Sequence, residues 1–226
     1  SALIASIRGI EFVKYTVHVL EDNALVKYGD NQRVVTVKGV EKNYWKSNGI
    51  NDYISSGEKI FPDSLAQEKQ FVLVGQGISN DLGINLNDPF NPLRFWYPKK
   101  NAFIGLDPEA AFNRKNISPT GIFSMERQFD NQYIILPIEF AQGLIETGNH
   151  ISSLEVYVTG NQNQTEKVKE KIKSLLGINF RVLDRFEQHK SLFTILNVEK
   201  FAIFLILSLI LVIASFNIFS SLVLLV

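Results

Sequence analysis

From Phe201 to Val226 the chain carries no charged residue, and its only polar side chains there are Ser208, Ser215, Asn217, Ser220 and Ser221. Crossing the hydrocarbon core of a bilayer takes about 20 predominantly apolar residues. A run this long is either a buried core helix or a membrane span. Globular helices of such length usually keep a polar stripe or caps, so a span is the expectation. The 23 basic and 23 acidic residues all precede it. The chain therefore reads as a water-soluble domain followed by one transmembrane helix. A run at this end is not a secretory signal. It reaches Val226 without a polar flank, so the chain is expected to be a piece of a longer protein. Ser1-Ala2 carries no weight.

Composition narrows the function classes. Equal numbers of cations and anions supply no global positive field for a polyanion, which argues against a nucleic-acid partner. At 46% apolar residues the chain can bury a core. With no cysteine there is no disulfide, no thiolate zinc site and no cysteine nucleophile.

Val13 to Leu20 alternates like a strand, and Ala24 to Tyr28 and Arg33 to Val40 continue the pattern around a Gly29-Asp30-Asn31 turn. Phe71 to Gly75 is a compact strand, and Ile78 to Leu82 a short helix that Gly83 ends. Pro89 to Tyr97, Ile117 to Phe123 and Tyr133 to Leu136 read as further strands. Pro137 opens a helix to about Glu146. Ser153 to Val158, Gln164 to Leu176 and Asn179 to Leu183 read as strand, helix and strand. Asp184 then resembles an N-cap, with Glu187 completing a capping box. No glycine or proline follows, so one helix is expected from Arg185 through the bilayer. Its first turns are amphipathic, with Phe186, Leu192, Phe193 and Leu196 on or near one face.

The chain shows no catalytic constellation. Gly75-Gln76-Gly77 lies between a strand and a helix, but Asn80 stands where a dinucleotide fingerprint needs its third glycine, and the P-loop lysine is missing. The reading is a structural turn. His18, His150 and His189 are far apart, and no ligand spacing suggests a metal. The chain is read as no enzyme, with no cofactor and no metal. The segment Lys99 to Asn116 is the oddity. It sets Phe103, Ile104, Leu106 and Phe112 among charged and turn residues. Such an excursion is either tucked against its own domain or presented to a partner. Asn217 lies deep in the apolar run, where an amide facing lipid is costly. It, and Ser215 beside it, are expected to face another membrane helix.

The stretch Leu192 to Val226 resembles the second transmembrane helix of the LolC/LolE permeases, through Glu199-Lys200, the apolar run, and Ala214-Ser215-Phe216-Asn217-Ile218. Val37 to Val40, Val74 to Ile78, Gly83 to Asp88, Gly121 to Phe123, Asp130, Ile135 to Pro137 and Ala141-Gln142 are similar to blocks of the same family. Asn87 stands where glycine is usual.

The resemblance implies an α+β, MacB-like periplasmic core over residues 1–184: a porter-like strand–helix–strand part built from both chain ends, and a β-rich inserted part. A connecting helix over 185–200 and the transmembrane helix over 201–226 follow, with Phe193, Glu199 and Lys200 in the coupling stretch. It also implies a bacterial inner-membrane permease, related to MacB and FtsX, that passes lipoproteins to a periplasmic carrier. Its partners would be a second permease subunit and a separate ABC ATPase subunit, which alone hydrolyses ATP. A hook-like loop gripping the carrier falls at Lys99 to Asn116, with Phe103, Ile104, Leu106, Pro108 and Phe112 as candidate contacts. Other readings are a MacB- or FtsX-like permease with a different cargo or a regulatory task, and a membrane-anchored sensor ectodomain. Cargo, dimer partner and membrane orientation are not legible in the residues.

Overall fold

Residues Val13–Tyr28 form one long strand, β1, where the alternation predicts two. Glu21, Asp22 and Asn23 stay in the strand because they face outward and are bonded there. The Glu21 amide donates to Ser152 Oγ at 2.8 Å, and Asn23 Oδ1 accepts from Thr36 Oγ1 at 2.9 Å. The structure is a computed structural model describing residues 2–47, 49–59, 70–99, 111–188 and 200–215. The chain divides into two compact units, Val13–Val158 and a second made of Ser1–Phe12 with Thr159–Val226.

The first unit is built on a mixed sheet. Its strands are β1, β2 (Asn31–Val40), β3 (Ile54–Gly57), β4 (Leu73–Gly75), β5 (Leu93–Pro98), β6 (Phe112–Ile117), β7 (Gly121–Phe123), β8 (Tyr133–Pro137) and β9 (Ser153–Val158). The order is β3-β7-β4-β8-β2-β1-β5-β6, with β9 also pairing to β1. β1 and β2 are joined at the Gly29-Asp30 turn, with Tyr28 opposite Asn31. Gly29 supplies the positive φ of 56° that such a turn requires. β2 then pairs in parallel with β8, and β4 with β7.

Buried positions along β1 change face part-way. Val17 and Val19 join Val40, Tyr44, Trp45, Ile50, Phe71, Leu73, Phe123 and Ile135 in one core cluster. Leu20, Ala24, Val26 and Tyr28 belong to a second, which includes residues of α3 (Gln76–Leu82) and α5 (Ile138–Ile145). Gly39 lets α5 come close: a Cβ there would lie 2.5 Å from Ala141 Cβ. Gly83 ends α3 in the left-handed region at φ 68°, as the sequence predicts. Pro137 caps α5. Short helices α2 (Lys42–Ser47) and α4 (Arg127–Asp130) complete this unit.

The second unit holds α1 (Ala2–Arg8), α6 (Gln162–Leu176), α7 (Arg185–Gln188) and a helix, α8, over 200–215. α6 starts two residues before the predicted Gln164. Asn161 is its N-cap and forms a reciprocal capping box with Gln164. The strand predicted at Asn179 to Leu183 does not form. A 3-10 turn occupies Gly177–Asn179, and residues 180–183 have no strand partner. The β-like residues there are exposed, with Ile178, Phe180 and Leu183 at the surface. The helix expected to run unbroken from Arg185 is described only over 185–188 and 200–215; 189–199 and 216–226 lie outside the described residues. Among the described residues no helix is long and apolar enough to cross a membrane. The α+β class is the class observed.

Candidate docking hairpin

Of the segment singled out from Lys99 to Asn116, the described residues, Lys99 and 111–116, belong to an antiparallel pair of strands. β5 and β6 pair antiparallel from Leu93 opposite Ile117 to Pro98 opposite Phe112, and the Lys99 amide extends the ladder to the Ala111 carbonyl at 2.9 Å. Asn113 to Asn116 are therefore strand residues, not loop. The strand predicted over Ile117 to Phe123 is broken at 118–120 into the end of β6 and β7. Phe103, Ile104, Leu106 and Pro108 lie outside the described residues. Phe112 is the first residue of β6, half-buried, with its ring 5.9 Å from that of Trp96.

One face of the hairpin is fastened to α5. Phe95 packs edge-on against Phe140 at 5.5 Å, Lys115 Nζ sits 5.6 Å from the same ring, and Asn113 donates to the Leu144 carbonyl at 3.1 Å. On that face Tyr97 donates its hydroxyl to Asp22 at 2.8 Å. Partial burial, and then that carboxylate, push its pKa up to about 12. The opposite face carries Trp96 between two cations, Lys27 Nζ at 4.5 Å and the Arg114 guanidinium at 4.1 Å from the ring centre. Arg94 lies on the same face and donates to the Gly29 carbonyl at 2.6 Å. Sequence reasoning missed this cationic, aromatic face. Its only signal is the alternation Arg94-Phe95-Trp96-Tyr97 against Asn113-Arg114-Lys115.

A second polar cluster crosses β9, β1 and β2. Lys38 Nζ lies 2.6 Å from Glu155 and 3.2 Å from Glu21. Burial alone would lower its pKa, but the two carboxylates outweigh that and raise it above the usual lysine value. Tyr157 donates to Glu155 at 2.8 Å and stacks on Tyr15 at 4.4 Å. His18 and Glu41 pair at 2.5 Å, and the His18 amide donates to the same carboxylate.

Gly75-Gln76-Gly77 is a packing turn. A Cβ on Gly75 would strike the Asp130 carbonyl, and one on Gly77 would strike the Asn131 side chain. Asp130 is buried and accepts from Ser124 Oγ at 3.0 Å and from the Met125 amide at 2.8 Å. These residues shape the fold.

In the second unit the Asp184–Glu187 capping box forms as read. The Glu187 amide donates to Asp184 at 2.8 Å, and the Asp184 amide to Glu187 at 3.1 Å. Of the coupling residues, Phe193 and Glu199 lie outside the described residues, and Lys200 is exposed and is the first described residue of α8. The apolar side chains of α8 are exposed all round, from Phe201 through Ile213. Ser215 donates to the Leu211 carbonyl of its own helix at 2.8 Å. Asn217 is outside the described residues.

No family model matches the chain, and no curated protein matches it in sequence. Solved structures do. The extracellular domain of YknZ, a noncanonic ABC-type transporter from Gram-positive bacteria, superposes with a TM-score of 0.53 at 13% identity, over 78% of this chain and 81% of that one. The chain shares the fold of that domain. The periplasmic region of MacB from Actinobacillus actinomycetemcomitans superposes at 0.51 with 15% identity, over 77% and 72%. At such identities the likeness is one of fold. It meets the expected MacB-like core and does not reach the LolC/LolE branch.

Proposed function

We propose that the chain is the periplasmic domain, with one transmembrane helix, of an inner-membrane ABC transporter permease that releases lipoproteins to a periplasmic carrier. ATP is hydrolysed on a separate subunit, and a second permease subunit completes the complex. The observation that supports this best is a MacB-like fold together with an antiparallel edge pair of strands, between which the sequence places Phe103, Ile104, Leu106 and Pro108. The bare apolar surface of α8 fits a helix that enters lipid.

In this reading the domain is a mechanical and docking element. The loop carrying Phe103, Ile104, Leu106 and Pro108 grips the carrier, and Phe201 to Val226 packs against partner helices through Ser215 and Asn217. Phe103→Asp and Ile104→Asp in the full permease complex should weaken pull-down of the carrier while the circular dichroism spectrum is retained. Unchanged pull-down refutes the docking role. The MacB and YknZ likeness favours one second reading, a permease of the same architecture with another cargo. ATP-dependent release that needs no lipoprotein carrier would select it.

A further inference from the structure

The linker between α6 and α7 is poorly anchored by apolar contacts. Ile178 and Phe180 are exposed, and Leu183 is at the surface. An ionic cluster fastens the start of α7. Lys169, in the middle of α6, is buried, and its Nζ lies 2.8 Å from Asp184 Oδ2 and 2.9 Å from Glu187 Oε2. Those two carboxylates are also the two halves of the α7 capping box. Glu166 on α6 stands 3.8 Å from the same ammonium. One cation thus faces three carboxylates. Removing it would leave the capping carboxylates repelling each other beside Glu166. The hydrogen bonds that Lys169 donates to Asp184 and Glu187 raise the lysine's pKa and lower that of Glu187, so the ammonium and the Glu187 carboxylate are both charged across the physiological range.

We infer that Lys169 is a positioning residue that latches the first turn of the connecting helix onto α6, so that the two move as one body. This rests on reading residues 185–226 as the helix that joins domain to membrane. Because one ammonium holds both capping carboxylates, one substitution can release this fastening without unfolding the sheet unit, which contains none of these residues.

The test is hydrogen exchange on the full permease complex in detergent, comparing wild type, Lys169→Met and Lys169→Arg. Lys169→Met should speed amide exchange across 184–188 roughly tenfold and leave the β1 and β2 peptides unchanged, and Lys169→Arg should keep most of the protection. In the reconstituted complex Lys169→Met should raise the ATP consumed per lipoprotein released, with basal ATPase unaltered. Unchanged exchange at 184–188 overturns the latch. Faster exchange with an unchanged ATP-to-release ratio overturns its role in coupling. If the wild-type complex releases no lipoprotein, the proposed function fails, and the exchange comparison still decides whether the latch exists.

Discussion

Replacing Gly39 by alanine tests how β2 receives α5. The added methyl group would sit 2.5 Å from Ala141 Cβ and 3.2 Å from Ile138 Cα. Comfortable carbon contacts are about 3.5–4.0 Å, so strand and helix must separate by roughly 1 Å. Overpacking of this kind costs about 1–3 kcal/mol. A less flexible unfolded chain returns about 0.4–1 kcal/mol of it. The net loss is about 1–2 kcal/mol, which lowers Tm by roughly 2–8 °C for a chain of this size. The companion variant Ala141→Gly removes the methyl group that is struck, at about 1 kcal/mol of helix propensity. In the double variant the 2.5 Å clash is gone and only the tight 3.2 Å approach to Ile138 Cα is left. Its loss should be smaller than the sum of the single losses by about 1–2 kcal/mol. Thermal unfolding of the full chain in detergent, followed by circular dichroism, reads all four proteins. Strictly additive losses would refute the close approach of α5 to β2.

Two further outcomes follow from the sheet unit. Lys38→Met strands Glu155 and Glu21 together and should cost about 2 kcal/mol, less than a fully buried pair because both carboxylates are partly solvated. The folded pKa of Lys38 lies above 10.5, so its contribution is complete below that pH and fades only as pH climbs through the folded value. The deficit of Lys38→Met, measured by denaturant unfolding, should therefore be constant between pH 7 and about 10; a deficit that shrinks across that interval would contradict the cluster. The second outcome concerns fluorescence. The chain has two tryptophans, Trp45 buried and Trp96 beside Lys27 and Arg114. In a Trp45→Phe variant, iodide should quench Trp96 far better than caesium does, and equal quenching would remove the cationic face.

What the residues disclosed in advance was local. Gly83 and Pro137 bound their helices as read because a left-handed residue and a fixed φ act within one turn. The Asp184–Glu187 capping box is likewise decided by residues three apart. The failures needed partners distant in sequence. The polar Glu21 to Asn23 stretch looks like a break until Ser152 and Thr36 bond it. Asn179 to Leu183 has strand-like residues, yet its start is a 3-10 turn and residues 180–183 pair with no strand. Asn113 to Arg114 passes for loop until β5 provides the ladder. The excursion at Lys99 to Asn116 stood out through apolar residues set among turn formers, but the pairing of β5 with β6 at its ends did not. The Lys27–Trp96–Arg114 stack was not, because it depends on a register that sets Lys27 opposite Arg94 and Trp96 opposite Arg114. Nothing in the sequence sets Lys169 apart from the other charges of α6. Only the fold brings Asp184 and Glu187 back to it.

The account's central claim is that movement of the membrane helix drives the periplasmic domain through a stiff connection. The direct measurement is ATP-dependent release of a lipoprotein to its carrier by the complete permease and ATPase in proteoliposomes, with and without a Gly-Pro pair inserted between Glu199 and Lys200. The account predicts that the insertion abolishes release while ATP hydrolysis continues. Release at the unmodified rate with the insertion in place would contradict it.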